Sequence, residues 1–194
     1  ILEDNRVFVK GTPEKGLSLG QVAQLSMTHK RGPIISANSC SQFPEQPAFS
    51  AQVADIEVDP ETGVVKILRY VAAQDVGRAI NPLSVRGQVQ GAVMQGLGQA
   101  MSEGYFFKNG RMQNAGFLDY KIFSSLDAPK VEVHLVERDD DNGPFGAKGV
   151  GEPPIMPPVA LIANAVQDAV GVRIYDLPIT PEKIMRAIQE KDKG

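Results

Sequence analysis

The glycine-rich run from Gly143 to Gly151 is the feature that most constrains how this chain can fold. Its nine positions contain four glycines, and Glu152, Pro153 and Pro154 follow directly. Residues without a side chain let another molecule approach the backbone closely. The two prolines restrict the chain just after Glu152, so this carboxylate has little freedom to move. The run therefore predicts a loop that presents bare backbone and one fixed acid, which is typical of a cofactor-facing active-site loop.

Composition and charge exclude several classes of partner. The chain has 194 residues, of which 42% are hydrophobic and 22% charged, and it can bury a sizeable core. Its formal net charge is −3 and it has no long basic run, so nucleic acid is not an expected partner. No apolar run reaches the length of a membrane-spanning helix. The sequence begins at Ile1 without an initiator methionine or a signal-peptide pattern, so we expect a piece of a longer or processed protein.

The chain contains a single cysteine, Cys40, in a polar stretch. An internal disulfide is therefore impossible, and so is an iron–sulfur cluster held by four thiolates of this chain. The two histidines are His29 and His134, which are far apart in sequence and do not predict a zinc site. We interpret Cys40 as an ordinary loop residue.

Hydrophobic periodicity and turn residues predict an α+β fold, with mixed sheets and packed helices, rather than a doubly wound parallel sheet. A Ser18 cap, an Asn109-Gly110 turn and a Thr180-Pro181 helix start are the clearest local signals. We expect one region, 1–194, with a boundary near 29–47 if it divides into two small lobes. The predicted elements are a strand at 6–10, a helix at 18–27, a hairpin of 49–59 and 64–73, a loop at 74–82, a helix at 83–102, a short hairpin at 105–112, a strand at 131–136, a helix at 155–170 and a helix from 180.

The helix predicted over 83–102 has glycines at an unusual density. Gly87, Gly91 and Gly98 lie close together on one face, although each interior glycine costs a helix about 1 kcal/mol. Close contact with a neighbour would explain them. The sequence leaves open whether this neighbour is a strand or a ligand lying against the helix start.

The glycine run does not match the common nucleotide-binding templates. Gly146 to Gly151 has the order G-x-x-G-x-G, and Lys148 is followed by glycine rather than by Ser or Thr. A backbone nest could still hold an anion beside the Lys148 cation. Glu152 is either a solvated loop carboxylate or a general base beside the apolar run 155–159, where loss of water would favour proton uptake.

A second polar group precedes the glycine-rich helix. Asp75, Arg78 and Asn81 lie in one predicted loop, and Gln88 follows in the first turns of the helix. Each residue alone would be an ordinary turn residue. Together they place donors and acceptors at one helix start, which could bind a polar heterocycle or a phosphate.

Four motifs together resemble the C-terminal part of the molybdenum-binding subunit of the xanthine dehydrogenase/aldehyde oxidoreductase family. The resemblance spans nearly the whole chain, in order and with fitting gaps. The motifs are Asp75-Val-Gly-Arg-Ala-Ile-Asn-Pro82, Gly87-Gln-Val-Gln-Gly91 with Gln95-Gly-Leu-Gly98, the run from Gly143 to Pro154, and Leu177-Pro-Ile-Thr-Pro-Glu-Lys183.

The resemblance implies a molybdenum hydroxylase that oxidises an N-heterocycle or an aldehyde with an oxygen derived from water. Glu152 matches the family's catalytic base, and the metal would be held through the pterin dithiolene rather than by this chain. The implied cofactor is molybdopterin, in its cytosine dinucleotide form. The positions implied to bind it are Asp75, Arg78, Ile80, Asn81, Gln88, Lys148, Gly149, Val150 and Gly151.

The resemblance also implies partners. The family's subunit is far longer, so the remaining half of the molybdenum subunit would complete the site, and this chain alone would be inactive. Iron–sulfur clusters and FAD would lie on partner chains, because Cys40 cannot hold a cluster alone. The implied location is the cytoplasm.

One alternative stays open at this stage, and a second lacks support. A non-catalytic structural or assembly domain could keep the same fold without the cofactor. A carboxylate-dependent hydrolase has no support, because no second acid or nucleophile stands at a credible position beside Glu152.

Overall fold

The computed structural model describes residues 1–29, 32–37, 39 and 45–193. The chain divides into two compact units, Ile1–Phe43 and Pro44–Gly194. Cys40 lies outside the described residues, so its interpretation stays a prediction.

The first unit is a small antiparallel sheet with one helix. Strands β1 (Leu2–Glu3), β2 (Arg6–Val9) and β3 (Thr12–Ser18) pair in chain order, and α1 (Leu19–Thr28) follows. Ser18 caps α1 as expected, because its hydroxyl accepts from the Gln21 amide while the Gln21 side chain accepts from the Ser18 amide. None of the described residues in this unit is fully buried.

The second unit is built on a three-stranded mixed sheet. Strand β4 (Ser50–Val58) pairs antiparallel with β5 (Val65–Gly77), and β5 pairs parallel with a later strand, Val131–Glu137. The long helix α2 (Pro82–Met101) and a short hairpin of β6 (Phe107–Lys108) and β7 (Arg111–Met112) precede that strand, which is β8. The sheet confirms the predicted α+β class with mixed strand directions.

Two further helices complete the unit. Short 3₁₀ turns at Pro144–Gly146 and Pro153–Ile155 lead to α3 (Pro157–Val170), and α4 (Pro181–Lys191) follows. Helix α3 ends at Gly171 in the left-handed conformation, and Thr180 caps α4. The main core lies between the sheet and these helices, with Tyr70, Leu97, Ile162 and Ile184 fully buried.

The prediction was wrong at the end of β5. Residues 74–77 continue the strand instead of forming a loop, because β8 pairs with them from the other side. Asp75 therefore stands on a strand end that is hydrogen-bonded to two neighbours.

The close contact predicted for the α2 glycines holds for one of the three. A Cβ on Gly98 would lie 2.3 Å from the Glu103 carboxylate, whereas a Cβ on Gly87 or Gly91 would meet nothing within 4 Å. The neighbour at Gly98 belongs to the protein, and neither a strand nor a ligand is required there.

Candidate functional site

The carboxyl end of β5 is where the glycine-rich run attaches to the sheet. Gly77 ends the strand with φ of +61°, and it forms an isolated antiparallel bridge with Ala147. A Cβ at Gly77 would lie 2.3 Å from the Gly146 carbonyl oxygen. Only glycine fits both the left-handed backbone and the short separation.

Two backbone hydrogen bonds flank this bridge. The Arg78 amide donates to the Gly146 carbonyl at 2.8 Å, and the Lys148 amide donates to the Val76 carbonyl at 3.0 Å. The glycine-rich run therefore docks on the strand through its own main chain. This explains part of its glycine content without a ligand.

A nearly buried cation ties the same junction together. Lys148 Nζ lies 2.7 Å from Asp75 Oδ2 and 3.7 Å from Asp140 Oδ2, and it donates to the Pro47 carbonyl at 3.0 Å. The side chains of Lys148, Asp75 and Asp140 are only 13%, 16% and 15% exposed. The cluster closes the loop onto residues 73 positions away in sequence.

The cluster holds its members in their charged forms. Burial opposes ionisation of Asp75, but the hydrogen bonds from Lys148 and from the Gly77 amide outweigh it and lower the pKa of this carboxyl. The hydrogen bond from the Asn142 amide similarly lowers the pKa of Asp140. The hydrogen bond to Asp75 raises the pKa of Lys148. Because carboxylates already neutralise the ammonium, Lys148 Nζ is a poor candidate for the anion-binding cation expected from the sequence.

The start of α2 presents a different set of groups. Asn81 caps the helix by accepting from the Ser84 amide at 3.1 Å, which leaves the amide nitrogen of its side chain for another partner. Arg78 is 60% exposed, and its 4.0 Å pair with Asp139 is at the limit of an ion pair. Ile80 is 63% exposed. These side chains point away from the core at the place where the glycine-rich run arrives.

A cleft of about 230 Å³ lies between the α2 start and the glycine-rich run. It brings six of the ten predicted site residues together, and its lining is mostly apolar with a few polar side chains. These six residues are Arg78, Ile80, Asn81, Gln88, Lys148 and Val150.

The four remaining predicted residues do not line this cleft. A Cβ at Gly151 would lie 3.6 Å from Gln88 Oε1, so the end of the glycine-rich run reaches α2. Within the described part of the chain, the amides of Gly149, Val150 and Gly151 donate no hydrogen bond. Three successive amides without a partner can serve a ligand rich in acceptors. Asp75 does not line the cleft, since its carboxylate faces Lys148.

Glu152 stands directly after these amides. Its carbonyl accepts from the Ile155 amide at 3.0 Å, which closes the 3₁₀ turn Pro153–Ile155 around it. Its side chain is exposed, and among the described residues its carboxylate makes no hydrogen bond or ion pair. The desolvated position expected from the apolar run 155–159 is not present within this chain. The carboxylate is available to accept a proton from a molecule placed against this face.

Sequence reasoning missed two residues of the loop junction. Asp140 pairs with Lys148, and Gln46 donates to Asp140 at 3.3 Å and to the Ala147 carbonyl at 3.5 Å. The acidic run 139–141 directly before the glycines was an available signal for Asp140. No local signal marked Gln46, which is 94 residues away from Asp140.

The described ranges, 1–29, 32–37, 39 and 45–193, contain no cluster of three or more His, Cys, Asp or Glu side chains able to hold a metal ion. No helix in the same ranges combines the length and apolar character needed to cross a membrane.

Comparison with known proteins shows the family. The family described as molybdopterin cofactor-binding domain matches residues 1–129. The xanthine dehydrogenase molybdenum-binding subunit of Escherichia coli O157:H7 is 36% identical over 95% of this chain and 25% of its own length. The gamma subunit of the 6-hydroxypseudooxynicotine dehydrogenase complex of Paenarthrobacter nicotinovorans is 38% identical over 81% of this chain and 20% of its own length.

A solved structure supports the same assignment. Quinoline 2-oxidoreductase from Pseudomonas putida 86 superposes with a TM-score of 0.77, at 28% identity, over 98% of this chain and 26% of that chain. The chain thus spans between a fifth and a quarter of the length of these relatives. The chain is similar to part of the molybdenum-binding subunits of xanthine dehydrogenase and aldehyde oxidoreductase type enzymes. The family match, the relatives and the shared architecture together show that it belongs to the molybdopterin cofactor-binding domain family.

Proposed function

We propose that this chain supplies one wall of the active site of a molybdenum hydroxylase, with Glu152 as the catalytic base. The observation that carries the proposal is the position of a carboxylate that is unpaired among the described residues. It comes directly after three backbone amides that donate no hydrogen bond within the same residues, and next to a cleft that contains Arg78, Asn81 and Gln88. A general base needs a free carboxylate at a defined position, and the Pro153–Ile155 turn defines it.

The residues of the cleft fit the pterin cofactor. Molybdopterin carries an anionic phosphate and a pterin ring with both hydrogen-bond donors and acceptors, and the cleft offers the Arg78 guanidinium and the side-chain amides of Asn81 and Gln88. The amides of Val150 and Gly151 would add main-chain donors that hold the cofactor. Lys148 would contribute its backbone, since its ammonium is already paired.

The reaction adds one oxygen atom from water to an electron-poor substrate carbon and releases two electrons and two protons. Bound molybdenum would supply the two-electron oxidation. Glu152 accepts the proton released as the water-derived oxygen attacks the substrate carbon. Gln88 and the Gly149–Gly151 backbone hold the cofactor in place while this happens.

Catalysis requires more protein than this chain. Glu152 is exposed here, and the apolar side chains around the site are also exposed: Ile80 at 63%, Phe145 at 84% and Met156 at 74%. The rest of a molybdenum subunit about four times this length would cover them and exclude water from the site around Glu152. This chain alone would then be inactive.

The proposal extends to the form of the cofactor and to the partner subunits. The exposed Arg78 near the α2 start suits the second phosphate of a cytosine dinucleotide. The single cysteine cannot hold iron–sulfur clusters, so an iron–sulfur subunit and an FAD subunit would carry the electrons away. The substrate would be an N-heterocycle or an aldehyde. Release of CMP on acid treatment, and iron and flavin in the purified complex, would test these assignments.

The main test is Glu152→Gln in the complete enzyme. We expect kcat to fall by at least about 100-fold with molybdenum and pterin contents unchanged, because the amide keeps the shape but cannot accept the proton. Glu61→Gln, an exposed residue in the β4–β5 turn, is the matched control and should behave as wild type. Near-normal turnover in Glu152→Gln would overturn the proposal, and a complex without molybdenum would point instead to a structural or assembly domain.

A further inference from the structure

A polar network runs through the helix-facing side of the β4–β5 sheet. Antiparallel pairing places Gln52 opposite Ala72 and Ala54 opposite Tyr70, so Gln52 and Tyr70 lie on one face in adjacent pairs. The Tyr70 hydroxyl, on a residue that is 0% exposed, donates to Gln52 Oε1. A hydroxyl and an amide removed from water cost free energy unless they are hydrogen-bonded. The Tyr70 hydroxyl and the Gln52 amide therefore have to bond to each other here.

The other end of the Gln52 side chain reaches the segment that carries Glu152. Gln52 Nε2 donates to the Pro154 carbonyl at 2.9 Å and to Ser50 Oγ at 3.1 Å. Pro153 and Pro154 have no amide hydrogen, so their main chain can form hydrogen bonds only through the carbonyl oxygens, in addition to the packing of the buried Pro154 side chain. Gln52 uses one of these carbonyls, 102 residues away in sequence.

The Pro154 carbonyl decides which way the Gln52 amide faces, because a carbonyl oxygen can only accept, and the Tyr70 hydroxyl then donates to the other end of the amide. The two hydrogens on Nε2 are directed to Pro154 and Ser50. Burial raises the pKa of the Tyr70 phenol, so the hydroxyl remains a donor at any working pH.

We infer that Gln52, held in place by Tyr70, is a positioning residue that sets where the Glu152 carboxylate stands. The contact at Pro154 and the Ile155–Glu152 hydrogen bond together fix the turn on which Glu152 sits. The inference rests on the proposed function for its catalytic consequence. Its structural part, the anchoring of the turn, stands on the hydrogen bonds alone.

The experiment compares Gln52→Met and Tyr70→Phe with wild type in the complete enzyme. Methionine keeps the unbranched length but has no donor, and phenylalanine removes one oxygen atom. Asp55→Asn is the matched control, because Asp55 lies on the same strand but is exposed on the opposite face. Glu152→Gln is the reference for the proposed base.

Two readouts separate anchoring from catalysis. Hydrogen exchange of the Ile155 amide should speed up about fivefold in Gln52→Met and change less, in the same direction, in Tyr70→Phe, as expected for loss of one net hydrogen bond. In the same variants kcat should fall about tenfold while KM stays within about twofold, because a displaced base affects the chemical step more than substrate binding. The apparent pKa of the base in the kcat/KM profile should also move, and molybdenum content should not change.

The outcomes are distinguishable. If Glu152→Gln is inactive but both network variants show wild-type Ile155 exchange and an unchanged pH profile, the positioning role is refuted and the proposed function stands. If Glu152→Gln is active, the proposed function fails, and faster Ile155 exchange in the network variants still supports the anchoring. If Gln52→Met does not fold, Tyr70→Phe decides alone.

Discussion

Gly77→Ala should destabilise the junction between β5 and the glycine-rich run. Gly77 has φ of +61°, and alanine in the left-handed region costs about 1–2 kcal/mol. The new Cβ would also lie 2.3 Å from the Gly146 carbonyl oxygen and 3.0 Å from the Lys148 amide nitrogen. Relieving such overpacking typically costs a further ~1–3 kcal/mol, so the expected loss is about 2–5 kcal/mol.

The expected loss of stability can be measured by thermal unfolding. For a chain of this size each kcal/mol lowers Tm by about 2–4 °C, so we expect a decrease of roughly 4–20 °C. Hydrogen exchange should localise the change, with faster exchange of the Arg78 and Lys148 amides that now bond across the junction.

Gly91→Ala is the matched control for this substitution. A Cβ at Gly91 meets nothing within 4 Å, and the residue lies inside α2. Alanine there should stabilise the helix by about 0.5–1 kcal/mol and raise Tm slightly. A Gly77→Ala protein that melts within a degree of wild type would refute the claim that close approach requires glycine at this strand end.

Two further predictions concern charge and capping near the cleft. Lys148→Met should lower Tm and speed proteolysis of the glycine-rich run. Because the pKa of Asp75 is lowered from 3.8 and that of Lys148 is raised from 10.5, the wild-type advantage should be complete between about pH 5 and 9. It should shrink as the pH falls below about 4 or rises above about 10.5, and a Tm difference independent of pH would contradict the ion pair. Asn81→Ala should lower the free energy of unfolding by about 1 kcal/mol, because the helix cap is lost. Asn81→Asp should keep the cap and the wild-type Tm but bind the pterin less well. Equal pterin contents in both variants and wild type would exclude Asn81 from the proposed cofactor site.

Local chemistry allowed much of the fold to be predicted. Ser18, Thr180 and Gly171 mark helix ends through caps that depend on one or two neighbouring residues. The β4–β5 hairpin and the Asn109-Gly110 turn likewise follow from turn residues between alternating strands. Each of these signals depends only on residues that are close together in the chain, so it can be recognised from the sequence alone.

The features that sequence alone did not predict depend on distant partners. Whether 74–77 is a loop or a strand is decided by pairing with β8, about 60 residues later. The state of Lys148 is decided by Asp75 and Asp140, so a cation that looked available for a ligand is committed to the fold. The environment of Glu152 could not be predicted for a similar reason. Its side chain is exposed in this chain, and its surroundings in a complete site would depend on protein beyond this chain.

The β6–β7 turn offers a practical attachment point. Asn109 and Gly110 both adopt left-handed backbone conformations, and a side chain added at Gly110 would meet no atom within 4 Å. With Cys40 replaced by serine, a cysteine at the neighbouring exposed Lys108, which does not line the cleft, could carry a fluorophore or a spin label. Distances from that label to dyes on candidate subunits would map how the assembled complex is arranged.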